Sequence, residues 1–352
     1  MLQGTIKRDS STELLRIISI ILIIIGHFSY HGFDVYEIDN TVLRRFVELG
    51  RVGGQVGVNC FVLISGYYGI RDYRKTKERI LNIASSVWFY SIVVFLVAFF
   101  VLSIKVQLFD IVSVFFPVIT KSYWFATAYI ILLVVAPFIN YALDCMDDLA
   151  YKKCITCIII VWCIIPTIFT SDMYGNEITW FFVLYVLGGF LRKNKKQFLN
   201  RKHLLLLAIF FFVCTWLTEV FIDFLSIKIH FLIGKQTFFL EGNKIPIVLT
   251  SLCLFCWCMS VQIKYIPIIN YFGSITFAIY LLHDNFIVRK NLWNWLISFF
   301  DINNAIRLFI AMLLVVVTLF LCTSIIEYIR KKTFEWARLL FERRWQAFGK
   351  KN

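Results

Sequence analysis

Proline is scarce in this chain, five in 352 residues, and the five are scattered, so no proline-rich linker divides it. Charge is scarce too: charged residues make up 16%, and the 22 Asp and Glu are outnumbered by 36 Lys and Arg. Internal repeats, low-complexity tracts and long polar loops are missing, which excludes solenoids and strings of separate soluble domains. Paired metal-ligand cysteines are missing as well. Most of the ten cysteines lie inside apolar runs, Cys253, Cys256 and Cys258 among them, and Cys154 with Cys157 lacks a second ligand pair, so neither a zinc site nor a disulfide framework is indicated. His27 and His31 bracket Phe28, Ser29 and Tyr30 with no Glu at the position a zincin needs. Lys7 and Arg8 precede an apolar segment as in a secretory signal, but no small-residue cleavage site follows, so this segment is expected to remain as a first helix. Leu2 stands where myristoylation requires Gly.

What the chain has in abundance is apolar surface. Hydrophobic residues are 60% of it, 37 are Phe, and the mean hydropathy is +0.76. Repeated apolar runs of about 18 residues or more mark membrane-spanning helices. The net charge of +14 lies in short loops between those runs, where the positive-inside rule puts it, and this excludes nucleic acid as the partner. The expected class is all-α, a polytopic bundle of about ten transmembrane helices in the cell membrane, with lipid as its surroundings.

The apolar runs place spans at about 13–32, 53–70, 80–101, 123–141, 154–169, 178–190, 203–221, 245–262, 266–286 and 305–329. Ser10 with Glu13 has capping-box spacing, and residues 31–52 read as a polar loop. Gly53 and Gly57 have the small-xxx-small spacing that lets helices approach closely. Residues 107–120, with Asp110 and Pro117, are too short to cross and read as re-entrant or interfacial. An even number of crossings puts both termini on one side, and the concentration of Lys and Arg makes that side cytoplasmic. Residues 1–330 then form one transmembrane domain. Residues 331–352 form a basic amphipathic tail, with Phe334, Ala337, Phe341, Trp345 and Phe348 at helical spacing, expected to lie on the inner leaflet.

The first span carries the chemistry. Arg16 and His27 are eleven residues apart, about three helical turns and roughly 16 Å, so they share one face, and His31 continues that stripe a turn further out. Two readings are open. Arg16 can snorkel to the headgroups and His27 to the far interface, or the stripe can line a protein pore, where ionisable residues in membranes usually face. A histidine so placed serves either as a proton relay in a transporter or as a general acid/base. Transporters usually show internal duplication, and none is evident here. No second imidazole is expected at the depth of His27.

The residues in order then resemble a known family. Arg16 followed by ten residues and His27, the segment from Gly57 to Tyr67 with Ser65 and Gly66, and the basic loop Arg71 to Arg79 are similar to motifs of the acyltransferase family 3 membrane proteins. Cys60 stands where Phe is usual, and Arg79-Ile80 lacks the following Pro. Ser122-Tyr123-Trp124-Phe125 with Leu132, Leu133 and Pro137, and Ser274-Ile275-Thr276 through Tyr280-Leu281-Leu282-His283, resemble two further motifs.

The resemblance implies an O-acyltransferase that takes an acyl group, acetyl for preference, from cytoplasmic acetyl-CoA or another acyl-CoA to a hydroxyl of a surface glycan or glycolipid, without a metal. His27 is then the catalytic residue. Arg16, Arg71, Arg74 and Arg79 are expected to hold the donor, and His31, Ser65, Tyr67, Tyr123, Trp124 and His283 are candidates for the lining. Each lining candidate has a plainer use: Tyr123 and Trp124 as an interfacial belt, Ser65 and Tyr67 in packing, His283 in an interhelical hydrogen bond, the basic loop as a topology signal. A transporter or flippase of a polysaccharide pathway, and an acyltransferase for a small molecule or lipid, are the alternatives.

Overall fold

The computed structural model describes residues 9–69, 76–101, 103–105, 107–169, 176–195, 200–226 and 228–349. Most of them lie in helices. In chain order they are α1 (Ser10–His31), α2 (Thr41–Gly69), α3 (Thr76–Phe100), α4 (Leu108–Phe115), α5 (Trp124–Asp144) and α6 (Asp148–Ile159). A π-helical turn at Ile160–Ile164 joins α6 to α7 (Ile165–Phe169). There follow α8 (Glu177–Lys193), α9 (Arg201–Ser226), α10 (Ile245–Ser260), α11 (Pro267–His283), α12 (Arg289–Ser298) and α13 (Ala305–Gly349). Among the described residues no strand occurs, so the chain is an all-α, polytopic bundle.

Eight segments are long and apolar enough to cross a membrane, with Asp148–Phe169 counted as one and α10 counted together with the turn that starts at Phe238. The two others expected from the sequence, α8 and α11, are 17 residues each, at the short end of the ~17–25 that a crossing takes. Both are buried along much of their length and packed among longer helices. The stretch 107–120 holds only the eight-residue α4, too short to cross, and most of its apolar side chains, Leu108 foremost, lie open, while Val114 is buried.

α1 and α2 pack tightly, and the glycines of α2 explain how. A Cβ on Gly53 would stand 2.9 Å from Leu22 of α1, and one on Gly57 would press into the Ser19 carbonyl of the same helix. Gly66 meets the backbone of Tyr185 in α8 in the same way. The backbone of Ser19 cannot yield as a side-chain tip would. Gly57→Ala is therefore expected to cost about 1–3 kcal/mol, the usual penalty of overpacking. It would show as a lower melting temperature of the detergent-solubilised protein, and an unchanged value would refute the close approach.

The sequence reading placed the start of α2 at Gly53, twelve residues late. Asn40 caps the helix, its side-chain oxygen accepting from the Leu43 N–H at 3.1 Å, and Leu43 and Val47 are buried. The charges that made this stretch look like a loop are paired across to α9. Arg44 reaches Asp223 at 2.5 Å, Arg45 reaches Glu48 at 2.7 Å and Asp223 at 3.1 Å, and Arg51 lies 3.5 Å from Glu219. Polar residues thus enter the bundle end as an ion-pair cluster, which no local pattern reveals.

The N-cap of α1 is also one residue earlier than the capping-box spacing suggested. Asp9 accepts from the Ser11 N–H at 3.0 Å, which frees Ser10 for other work. Its hydroxyl oxygen accepts from the Ile266 N–H at 3.0 Å and from Asn270 Nδ2 at 2.6 Å, tying the start of α1 to the start of α11. Asn270 in turn shares a surface cleft with Arg330 and Lys331 of α13, so the start of α1 and the middle of α13 lie at one end of the bundle. Beyond Lys331 the helix continues unbroken to Gly349, so residues 331–349 extend α13 and are not a separate element.

Candidate active site

α1 presents Arg16 and His27 on one face because eleven residues close almost three full turns. Both side chains line a single cavity of about 230 Å³. α2 contributes Val58, Phe61 and Ser65 to its wall, α5 contributes Trp124, and α11 contributes Tyr280. At one end Arg16 Nη1 donates to Glu13 at 3.0 Å, one turn back on the same helix. The polar stripe faces protein and not lipid.

At the other end three histidines gather. The His27 ring centroid lies 5.4 Å from that of His31 and 5.3 Å from that of His283, so the expectation of a lone imidazole at this depth is overturned. The second ring comes from α11, where no spacing along α1 could announce it. His283 is fully buried, and its Nδ1 lies 2.6 Å from the Ile279 carbonyl. A carbonyl only accepts, so Nδ1 carries the proton and the neutral ring keeps a lone pair on Nε2. Trp293 of α12, also fully buried, stands edge-on to both rings and roofs the group.

Two residues here escaped the sequence reading. Asp284, immediately after His283, is fully buried and places Oδ1 3.6 Å from His27 Nδ1. Arg289 brings its Nε to 2.7 Å from the same oxygen. A carboxylate therefore faces the imidazole and is held from behind by a guanidinium. The available signal was an acidic residue at the end of an apolar helix with an arginine five positions on.

His27, His31 and Asp284 bring ligand atoms within 4.8 Å of one another, a spacing that three ligands of one cation can adopt. A cation there would meet the fixed positive charge of Arg289 on the same carboxylate. The group is thus better suited to moving protons than to holding a metal.

The remaining candidates divide. Trp124 lines the cavity, as does Ser65, whose hydroxyl donates to the Phe61 carbonyl at 3.0 Å and lies 2.9 Å from the Tyr129 hydroxyl. Tyr123 is fully buried against Tyr280, outside the lining. Tyr67 also stands apart, packed on Phe255 and Tyr68, while its carbonyl accepts from Arg192 at 2.9 Å. Arg71 and Arg74 lie outside the described residues. Arg79 sits in the first turn of α3, one turn before Ile83, which lines the cavity.

A family model described as an acyltransferase domain matches residues 9–327 of this sequence. No curated protein and no solved structure matches it.

Proposed function

Since the chain belongs to the acyltransferase family 3, we propose that it is a plasma-membrane O-acyltransferase that moves an acetyl group from acetyl-CoA to a hydroxyl of a cell-surface glycan. The observation that carries this reading is the cavity with Arg16 at one end and His27 at the other. Its volume, about 230 Å³, is below the ~300–1,000 Å³ that encloses a whole small ligand, so it suits the acyl-bearing arm of the donor and not the nucleotide. The nucleotide then stays at the mouth near Arg16 and Arg79, on the side that the basic loops mark as cytoplasmic.

The reaction asks little of the protein beyond placement and one proton carrier. His27 takes the proton of the acceptor hydroxyl as its oxygen attacks the thioester carbonyl. The new C–O bond forms, the C–S bond breaks, and the imidazolium returns the proton to the departing thiolate. Asp284 faces the charge that develops on the ring.

Arg16→Lys is expected to raise the KM for acetyl-CoA about tenfold. Lysine keeps the charge but loses the planar fork, and a tenfold change corresponds to one charge-assisted hydrogen bond. Steady-state kinetics in proteoliposomes would check it, and an unchanged KM would remove Arg16 from the donor site. The whole reading is tested by giving the purified protein radiolabelled acetyl-CoA and glycan acceptors. A protein that transfers no label to any acceptor, yet carries solute across liposomes, would overturn it in favour of a transporter.

A further inference from the structure

A second chamber, of about 460 Å³, lies beside the donor cavity and shares two residues with it, Val58 and Trp124. We propose that this chamber binds a pyranose ring and is where the glycan acceptor docks. Its assignment to the acceptor rests on the acyltransferase reading. Its assignment to a sugar rests on the chamber itself.

The chamber is built by local chemistry. Pro166 has no N–H to offer the carbonyl one turn back, and α6 opens into the π-helical turn around Trp162. The freed Trp162 carbonyl instead accepts from Asn243 Nδ2 at 3.2 Å. Lys244, only 1% exposed, donates to the Pro166 carbonyl at 3.1 Å and pairs with Glu241 at 3.1 Å. The Thr167 hydroxyl oxygen accepts from the Ile245 N–H at 3.1 Å. The segment before α10 is therefore clamped onto the π turn.

The opposite side is pinned by one fully buried residue. Asn59 donates to the Gly242 carbonyl at 2.8 Å and accepts from Trp180 Nε1 at 2.9 Å, fixing two walls at once. Asn59 lies between Val58, which faces both chambers, and Phe61, which faces the donor cavity.

What this frame presents is the chemistry that recognises a sugar. Three indoles, Trp124, Trp162 and Trp180, line the chamber, and flat apolar rings suit the C–H face of a pyranose. Around them stand Gln55, Glu177 and Glu241, planar polar groups that suit vicinal hydroxyls. Trp162 Nε1 is shielded from solvent and donates to nothing among the described residues. The volume lies within the ~300–1,000 Å³ of small-ligand sites. A sugar resting here would border the donor cavity at Val58 and Trp124, the residues common to both.

Saturation-transfer NMR on the detergent-solubilised chain, with the methyl glycosides of glucose, galactose and N-acetylglucosamine as probes, tests the site without chemistry. At least one glycoside is expected to receive saturation on its ring protons, to lose it in Trp162→Ala, and to keep it in His27→Ala. Trp162→Phe, which keeps a ring and fills most of the volume, should retain part of the signal and guards against a folding defect. No transfer to any glycoside, or an equal signal in Trp162→Ala, overturns the proposal. In turnover, Trp162→Ala should raise the acceptor KM at least tenfold while the acetyl-CoA KM holds, and an unchanged acceptor KM would likewise overturn the site. Sugar binding without any acetyl transfer would instead sink the acyltransferase reading and leave the chamber standing as a saccharide site.

Discussion

His27→Ala is expected to lower kcat for acyl transfer by about 10²–10⁴-fold, the contribution that a positioned acid/base group typically makes. Folding should survive the change. The side chain lines a cavity, and its buried Nδ1 makes no well-formed hydrogen bond, so truncation removes a wall and leaves no new buried group orphaned. Labelled acetyl turnover, read beside the melting temperature, makes the comparison. His283 is the natural rescuer, but its Nδ1 is committed to the Ile279 carbonyl, so its ring is fixed in place and cannot swing into the gap. His31, a turn further out and partly open to solvent, should show a milder loss when changed to Ala. Normal turnover by a correctly inserted His27→Ala protein would end the mechanism. An inactive His31→Ala beside it would move the proton carrier one turn outward.

Asp284→Asn should produce the second large loss. A carboxylate in hydrogen-bond contact with a catalytic imidazole is worth about 10⁴-fold in the serine proteases. At 3.6 Å the contact with His27 is longer than a hydrogen bond, and a fall in kcat of about 10²-fold is the expected result. The donor KM should change little, because on the proposed reading the donor's charged groups are held at Arg16, about three turns away from Asp284's partner His27. Arg289 loses its partner as well. Breaking a buried pair costs ~3–5 kcal/mol, and the cost here should be smaller because the Arg289 side chain is 28% exposed. Adding Arg289→Gln removes the orphaned charge and separates the two effects. Thermal stability should recover in the double variant while kcat stays low, and recovery of both would make Asp284 a purely structural residue.

Much of this arrangement could be read from the residues alone. The apolar runs gave the helices, the eleven-residue spacing put Arg16 and His27 on one face, and Gly53 and Gly57 announced the seam between α1 and α2. The reading failed where polar residues are satisfied by distant ones. Arg44 and Arg45 look like loop residues until Asp223, far along the chain, neutralises them. His283 joins His27 only because α11 packs beside α1, and Asp284 matters only because of where that packing leaves it. The second chamber was invisible for the same reason, since Asn59 and Trp180 meet 121 positions apart. Pro166 was in plain view, but its effect on the Trp162 carbonyl needs Asn243 to complete it. Periodicity reports what one helix does, and these contacts belong to pairs of helices.

The length of α13 carries a consequence of another kind. Its 45 residues run to roughly 68 Å at ~1.5 Å each, more than twice the ~30 Å of a bilayer's hydrocarbon. Neither proline nor glycine interrupts it before Gly349, so the usual causes of a sharp kink are missing. A single unbroken helix of that length cannot lie wholly within the hydrocarbon, so a good part of its backbone must stand outside it. The depth-dependent quenching by lipid of a reporter dye attached at Gly349 would read how far from the hydrocarbon that backbone ends.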